Sequence, residues 1–253
     1  MAALACASRS CSADEGPAVF GVGCEPAFAI GQRALLLRAG TGNVLWDCVS
    51  YIDDELVATI KELGGISAIA ISHPHYYGTM VEWSRAFGAR VMVHSADRQW
   101  VSRGGKEVTF WGGDTHEIAP GMTLINAGVH FAGGTVLHWS AGPGRPAALF
   151  SGDIFQVVMD RRWVSFMYSY PNLIPERRSV VRRAVKLLAP YPFERIYGAW
   201  WGRIVETDGA KALRRSAERY LEYTSEQEPS TVPGKLAMPT VPVTPENAEP
   251  SGK

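Results

Sequence analysis

Neither sign of charge is in excess in this 253-residue chain, which carries 25 basic and 25 acidic residues. Without a basic surplus it has no electrostatic footprint for nucleic acid or an anionic membrane, and neither is expected as a partner. Long apolar runs are missing too. None approaches the roughly 18–20 residues of a membrane span, so a soluble protein is expected. Cysteine is scarce. Cys6, Cys11, Cys24 and Cys48 are too few and too scattered for a disulfide scaffold, and they form no two-pair zinc pattern. Reduced thiols in a cytoplasmic compartment are the expectation. The first thirteen residues hold Arg9 but no acid and are rich in Ala and Ser, a weak likeness to an organelle transit segment. They contain no continuous apolar stretch of the secretory kind.

What is present is ordinary globular composition, 46% hydrophobic and 20% charged, enough to bury a substantial core. Residues 1–18 read as a flexible N-terminus, with folding expected to begin near Val19. Phe28 to Leu37 and Asn43 to Cys48 read as strands joined by the turn residues Ala39-Gly40-Thr41-Gly42. Ile52, Leu56, Ile60 and Leu63 recur at helical spacing, and Gly64-Gly65 ends that helix. Ile66 to Ser72 is an apolar strand, Thr79 to Phe87 a helix stopped by Gly88, and Arg90 to His94 a strand. Four short strands follow, Glu107 to Trp111, Met122 to Ala127, Thr135 to Ser140 and Ala147 to Ser151. Pro175 to Leu188 reads as a helix whose Arg177, Arg178, Arg182, Arg183 and Lys186 form a solvated face. A short strand, Arg195 to Tyr197, and a helix from Glu206 to Tyr223 complete a domain over residues 19–224. From Ser225 the composition changes to Pro, Glu, Ser, Thr and Gly, so residues 225–253 read as a disordered tail.

Chemistry concentrates at strand ends. His73-Pro74-His75 follows the apolar run Ile66 to Ser72. On extended backbone, residues at i and i+2 point the same way, so a loop there can turn both imidazoles onto one ion. His130 sits in the Gly-rich turn Ala127 to Gly134. Asp153 follows the strand ending in Phe150-Ser151-Gly152, and a buried carboxylate needs a partner such as a cation. Three imidazoles and one carboxylate suit zinc or iron. His94 could approach from its strand end. His138, on an alternating strand, reads as structural, and His116 lies outside these segments.

The order of these segments resembles the metallo-β-lactamase-fold superfamily over roughly Phe20 to Tyr223. Asn43-Val44-Leu45-Trp46-Asp47 is similar to its first motif, a strand ending in a supporting Asp. His73-Pro74-His75-Tyr76-Tyr77-Gly78 resembles its second, His-x-His-x-Asp-His. Gly128-Val129-His130 through Thr135 resembles the third, and Ser151-Gly152-Asp153 the fourth. Tyr197-Gly198-Ala199-Trp200-Trp201-Gly202 falls where the fifth, a Gly-His turn, is expected. The resemblance implies an α/β fold: an αβ/βα four-layer sandwich of two mixed β-sheets flanked by helices, with the metal at one edge. Tyr77 and Gly78 stand where the family has Asp and His, and Trp200 or Trp201 where it has His. Those are ligands of its second metal, so the resemblance implies one ion, held by His73, His75, His130 and Asp153.

The leading expectation is a metal-dependent hydrolase acting on a small-molecule ester, thioester or similar substrate through water activated by one Zn2+. Asp153 binds or orients the water, Asp47 holds the metal loop, and Tyr77 takes part in catalysis. Tyr76, Trp200 and Trp201 wall the pocket, one tyrosine ring filling the place of the second metal. One alternative is a mononuclear Fe2+ oxidoreductase of the same fold. Another is a degenerate member that only binds. The loops Ser95–Gly105 and Asp160–Pro175 are expected to shape the pocket, and Arg161-Arg162 could steer an anion or be merely solvated.

Overall fold

The computed structural model describes residues 9–225. Two sheets carry the chain. The first has seven strands in sequence order: β1 (Arg9–Gly16), β2 (Val19–Glu25), β3 (Ala34–Leu37), β4 (Val44–Trp46), β5 (Ala68–Ala70), β6 (Arg90–His94) and β7 (Val108–Trp111). The second has six, in spatial order β17 (Ile204–Val205), β16 (Arg195–Gly198), β11 (Ala148–Gly152), β10 (Thr135–Trp139), β9 (Met122–Asn126) and β8 (Thr115–Ala119). Both are mixed: β4 to β7 run parallel, as do β11 and β16, and the other pairs are antiparallel.

Successive side chains on a strand point to opposite faces, and that alternation sorts the core into layers. Leu35, Leu37, Val44, Trp46 and Ala70 face the second sheet, where they meet Leu124, Leu137, Ala148 and Phe150. Their neighbours Leu36, Leu45 and Ile69 face outward and are covered by Leu56 and Ile60 of α1 (Asp54–Glu62) and Met80, Val81 and Trp83 of α2 (Met80–Phe87). On the second sheet, Ile125, Val136, Leu149 and Ile196 face outward. They are covered by Val181, Ala184 and Leu188 of α3 (Arg178–Leu188) and Ala212, Leu213 and Ala217 of α4 (Gly209–Tyr223). The result is the expected αβ/βα four-layer sandwich. Among the described residues, no helix is long and apolar enough to cross a membrane.

The expectation of a flexible N-terminus up to residue 18 changes. Residues 9–16 are an ordered strand, paired from Arg9↔Glu25 to Gly16↔Val19, so folding does not begin at Val19. Ser12 to Asp14 on this edge strand are exposed. Its backbone pairing therefore leaves no apolar alternation in the sequence to read. Of the transit-like residues 1–13, residues 1–8 lie outside the described residues, as does the tail beyond residue 225, while residues 9–13 belong to β1. Within the sheets β2, β8 and β17 also went unread, as did two short pairs outside them, β12 (Gln156–Val157) with β13 (Val164–Ser165) and β14 (Met167–Ser169) with β15 (Ile174–Pro175). The last pair forms a hairpin beside the site described next.

Candidate metal centre

Strand ends at one edge of both sheets carry the site. Asp47 directly follows β4 in a left-handed conformation (φ 64°). It is fully buried, and its Oδ1 accepts the Ser72 backbone N–H at 2.7 Å. Burial drives its carboxyl up to about 8, against the lowering effect of the Ser72 bonds. Ser72 in turn places its hydroxyl 2.8 Å from His73 Nδ1. A carboxylate, a hydroxyl and an imidazole thus stand in line behind the cluster. From the other sheet, Gly152 meets this line. A Cβ there would lie 2.9 Å from Ser72 Oγ and 3.1 Å from Asp47 Oδ2, so glycine lets the two sheet edges close.

His130 is presented by a tight turn. It adopts φ 68°, its backbone N–H donates to Glu176 Oε2 at 2.9 Å, and its Nδ1 lies 2.9 Å from the Tyr168 carbonyl oxygen. A carbonyl only accepts, so Nδ1 carries the proton and the Nε2 lone pair faces inward. The turn needs Gly134, because a Cβ there would come within 2.1 Å of the Val129 carbonyl oxygen.

The structure brings His73, His75, His130 and Asp153 together, one donor atom from each lying within 4.8 Å of all the others. His75 Nδ1 stands 3.1 Å from His73 Nε2 and 3.4 Å from His130 Nε2. Asp153 Oδ1 is 3.1 Å from His73 Nε2, yet it is buried and accepts no hydrogen bond. Donors bound tetrahedrally at about 2.0–2.1 Å from zinc stand about 3.3–3.4 Å apart. An orphaned carboxylate oxygen among imidazole nitrogens, with three separations of 3.1–3.4 Å and all within 4.8 Å, fits a metal ion. Burial also lowers the histidines, His130 to about 4 and His73 well below its ordinary value, with the neighbouring imidazoles adding to the shift at His73. His75 is lowered by burial as well. All three are therefore neutral at pH 7, as ligands must be. Burial raises Asp153 to about 7.

The other site residues divide. Tyr76 is buried, with its ring edge-on to His73 at 4.5 Å and its hydroxyl without a partner. Trp200 lines the cavity beside Asp153 and donates from its indole nitrogen to the Ile30 carbonyl at 3.1 Å. Tyr77, expected to act in catalysis, instead belongs to the apolar cluster under α1 and α2 and lines neither cavity at the site. Trp201, expected in the pocket wall, turns away and packs on β2. There a Cβ at Gly21 or Gly23 would approach its ring to 2.6 or 2.7 Å. His94 bonds the Gly113 carbonyl and Asn126 rather than the cluster, and His138 bonds the Pro192 carbonyl. Arg161 is spent on the carbonyls of Val158, Met159 and Gly202, and Arg162 on Asp160. Sequence reasoning missed Ser72, Phe131, Tyr170 and Glu176. Phe131 sets its ring within 5.5 Å of all three imidazoles, and Tyr170 donates to the Asp153 carbonyl at 2.6 Å. Phe131 had a signal, its place next to His130 in the Gly-rich turn.

Comparison with known proteins agrees with this architecture. No family model matches the chain. The uncharacterized protein YmaE of Bacillus subtilis (strain 168) is 47% identical over 204 residues, covering 81% of this chain and 74% of YmaE. The chain belongs to the family of YmaE. Among solved structures, this YmaE-family chain superposes on the metallo-beta-lactamase DIM-1 with a TM-score of 0.63 at 13% identity, covering 83% of this chain and 98% of DIM-1. VMB-1 gives a TM-score of 0.63 at 14% identity over 85% and 98% of the two chains. A metallo-beta-lactamase from Cronobacter sakazakii gives 0.53 at 17% identity over 83% and 94%. The fold of this YmaE relative is the metallo-β-lactamase fold, with a divergent second motif.

Proposed function

We propose that the protein is a metal-dependent hydrolase that uses one ion, zinc, held by His73, His75, His130 and Asp153. The observation that carries this reading is the orphaned Asp153 Oδ1 beside three neutral imidazoles. A nitrogen-rich set with one carboxylate suits zinc. Such an ion supplies Lewis acidity and lowers the pKa of a water it holds towards roughly 7.

The chain's own residues do the rest. Ser72 and Asp47 hold the His73 ring, and the Tyr168 carbonyl fixes the His130 tautomer. Such outer contacts orient ligands and tune their basicity. Phe131 packs its ring beside all three imidazoles. His75 is the exposed ligand, while His73, His130 and Asp153 are buried, so substrate approaches on the His75 side. Asp153 binds or orients the attacking water. Tyr77 and Gly78 supply no carboxylate or imidazole for a second ion, and the buried Tyr76 ring packs against His73, which supports a mononuclear site.

The test is turnover of an ester and thioester panel by zinc-loaded protein beside His130→Ala. Hydrolysis by the first and its loss in the second is expected. A blank across the panel at full zinc loading contradicts the hydrolytic reading.

A further inference from the structure

The ligand cluster sits between two cavities of similar size and unlike character. One, about 540 Å³, has Asp153 and His75 at its floor and Ala29, Ile30, Tyr170 and Trp200 in its walls. The other, about 550 Å³, reaches His75 and His130 and carries Gln99, Asn172 and Arg177. His75 and Pro171 belong to both. Each volume falls in the range of about 300–1,000 Å³ typical of small-molecule sites.

Exposed apolar side chains gather here. Large hydrophobic residues exposed among those described are Ile30, Trp100, Met159, Tyr168, Leu173, Ile174 and Tyr223. Ile30 lines the first cavity, and Trp100, Tyr168 and Ile174 line the second. Leu173 lies in the turn between β14 and β15, beside Ile174. Scattered exposed apolar residues need no explanation, but a cluster at a cleft marks a binding surface. The first cavity holds no cationic group, and its only acid is the ligand Asp153. Its neutral polar side chains are Ser50, Gln156, Tyr170 and Gln32, the Gln32 amide donating to the Cys48 carbonyl at 3.3 Å and the Tyr170 hydroxyl to the Asp153 carbonyl. In the second, Glu176 is spent on the backbone N–H groups of His130 and Arg177. Arg177 has no ion-pair partner among the described residues.

We propose that the substrate is an acyl ester or thioester with an apolar acyl chain. The chain lies in the Ile30–Trp200 cavity, the polar leaving group lies in the Gln99–Arg177 cavity, and the scissile carbonyl stands over His75. This rests on the hydrolytic reading above. Water adds to the carbonyl carbon and the acyl–oxygen or acyl–sulfur bond breaks; one proton of the water goes to the departing alcohol or thiol, the other is released to solvent, and the acyl group leaves as a carboxylate.

Two measurements separate this proposal from the reading beneath it. In the first, zinc-loaded protein hydrolyses acetyl, butyryl and octanoyl p-nitrophenyl esters. A rise in kcat/KM of up to about four-fold per added methylene is expected, the value of a buried CH2. Ile30→Asp shrinks the octanoyl-to-acetyl ratio at least ten-fold, and Met159→Asp, at a more exposed apolar site elsewhere, leaves it unchanged. Hydrolysis with no chain-length dependence overturns this proposal and leaves the hydrolytic reading standing. In the second, calorimetry measures binding of free octanoate and acetate, independently of turnover. Tighter octanoate binding, lost in Ile30→Asp, supports the apolar cavity even where no ester is cleaved. Equal binding of the two carboxylates overturns it.

Discussion

Asp47 Oδ1 accepts the backbone N–H of Ser72 at 2.7 Å, and so ties the end of β4 to the loop that carries His73 and His75. The same serine holds His73 Nδ1 through its hydroxyl at 2.8 Å. Loss of such an outer contact typically costs about 10–100-fold in metal affinity. Ser72→Ala is therefore expected to weaken zinc binding by that order in a competitive chelator titration while the protein remains folded. Affinity unchanged within two-fold would show that the serine contributes nothing to the centre.

Gly134 closes the turn that presents His130. Gly134→Ala forces a Cβ to within 2.1 Å of a carbonyl oxygen, a clash that only backbone movement relieves. Overpacking of this kind costs about 1–3 kcal/mol. A lowered Tm together with reduced metal content is the expected outcome. A variant with wild-type Tm and metal content would show that the turn relaxes freely.

Tyr77 lies in the apolar core, away from both cavities. Tyr77→Phe is expected to leave metal content unchanged and kcat within about two-fold, since a general acid or base contributes about 10²–10⁴-fold. A hundred-fold loss of kcat at constant metal content would return Tyr77 to the chemistry.

The metal-free chain is expected to be most stable at an intermediate pH. Asp153 and Asp47 are raised to about 7 and about 8, so they keep protons that the unfolded chain has released. Their contribution is lost as pH rises through those values. His73, His75 and His130 are lowered, so their contribution is present above the unfolded value of about 6.5 and is lost as pH falls below it. Thermal melts of chelator-treated protein are therefore expected to peak near pH 6–7 and to fall on both sides. Saturating metal shifts the optimum upward, because the ion binds deprotonated ligands. A Tm of metal-free protein that climbs steadily from pH 6.5 to 8.5 would contradict these carboxyl shifts.

Much of the architecture was legible in the sequence. Strands such as Arg90–His94 and Met122–Asn126 are apolar runs bounded by turn residues, and each helix that packs on a sheet shows an apolar stripe. The residues grouped by the structure, His73, His75, His130 and Asp153, are chemically distinctive side chains at strand ends. The illegible parts have physical causes. β1 is an exposed edge strand whose order comes from backbone bonds. The β14–β15 hairpin has strands of two or three residues, too short for a period to appear. Tyr168 acts through its carbonyl, which every residue has. The two adjacent tryptophans face different ways because Gly21 and Gly23 open a place for Trp201 on β2, a relation spanning almost the whole chain.

Metal stoichiometry tests the central claim most directly. Protein purified without added metal, analysed by inductively coupled plasma mass spectrometry beside His73→Ala and His130→Ala, is expected to hold about one equivalent of zinc in the parent and far less in either variant. Two equivalents, or metal retained in both variants with folding intact, would contradict a single ion held by His73, His75, His130 and Asp153.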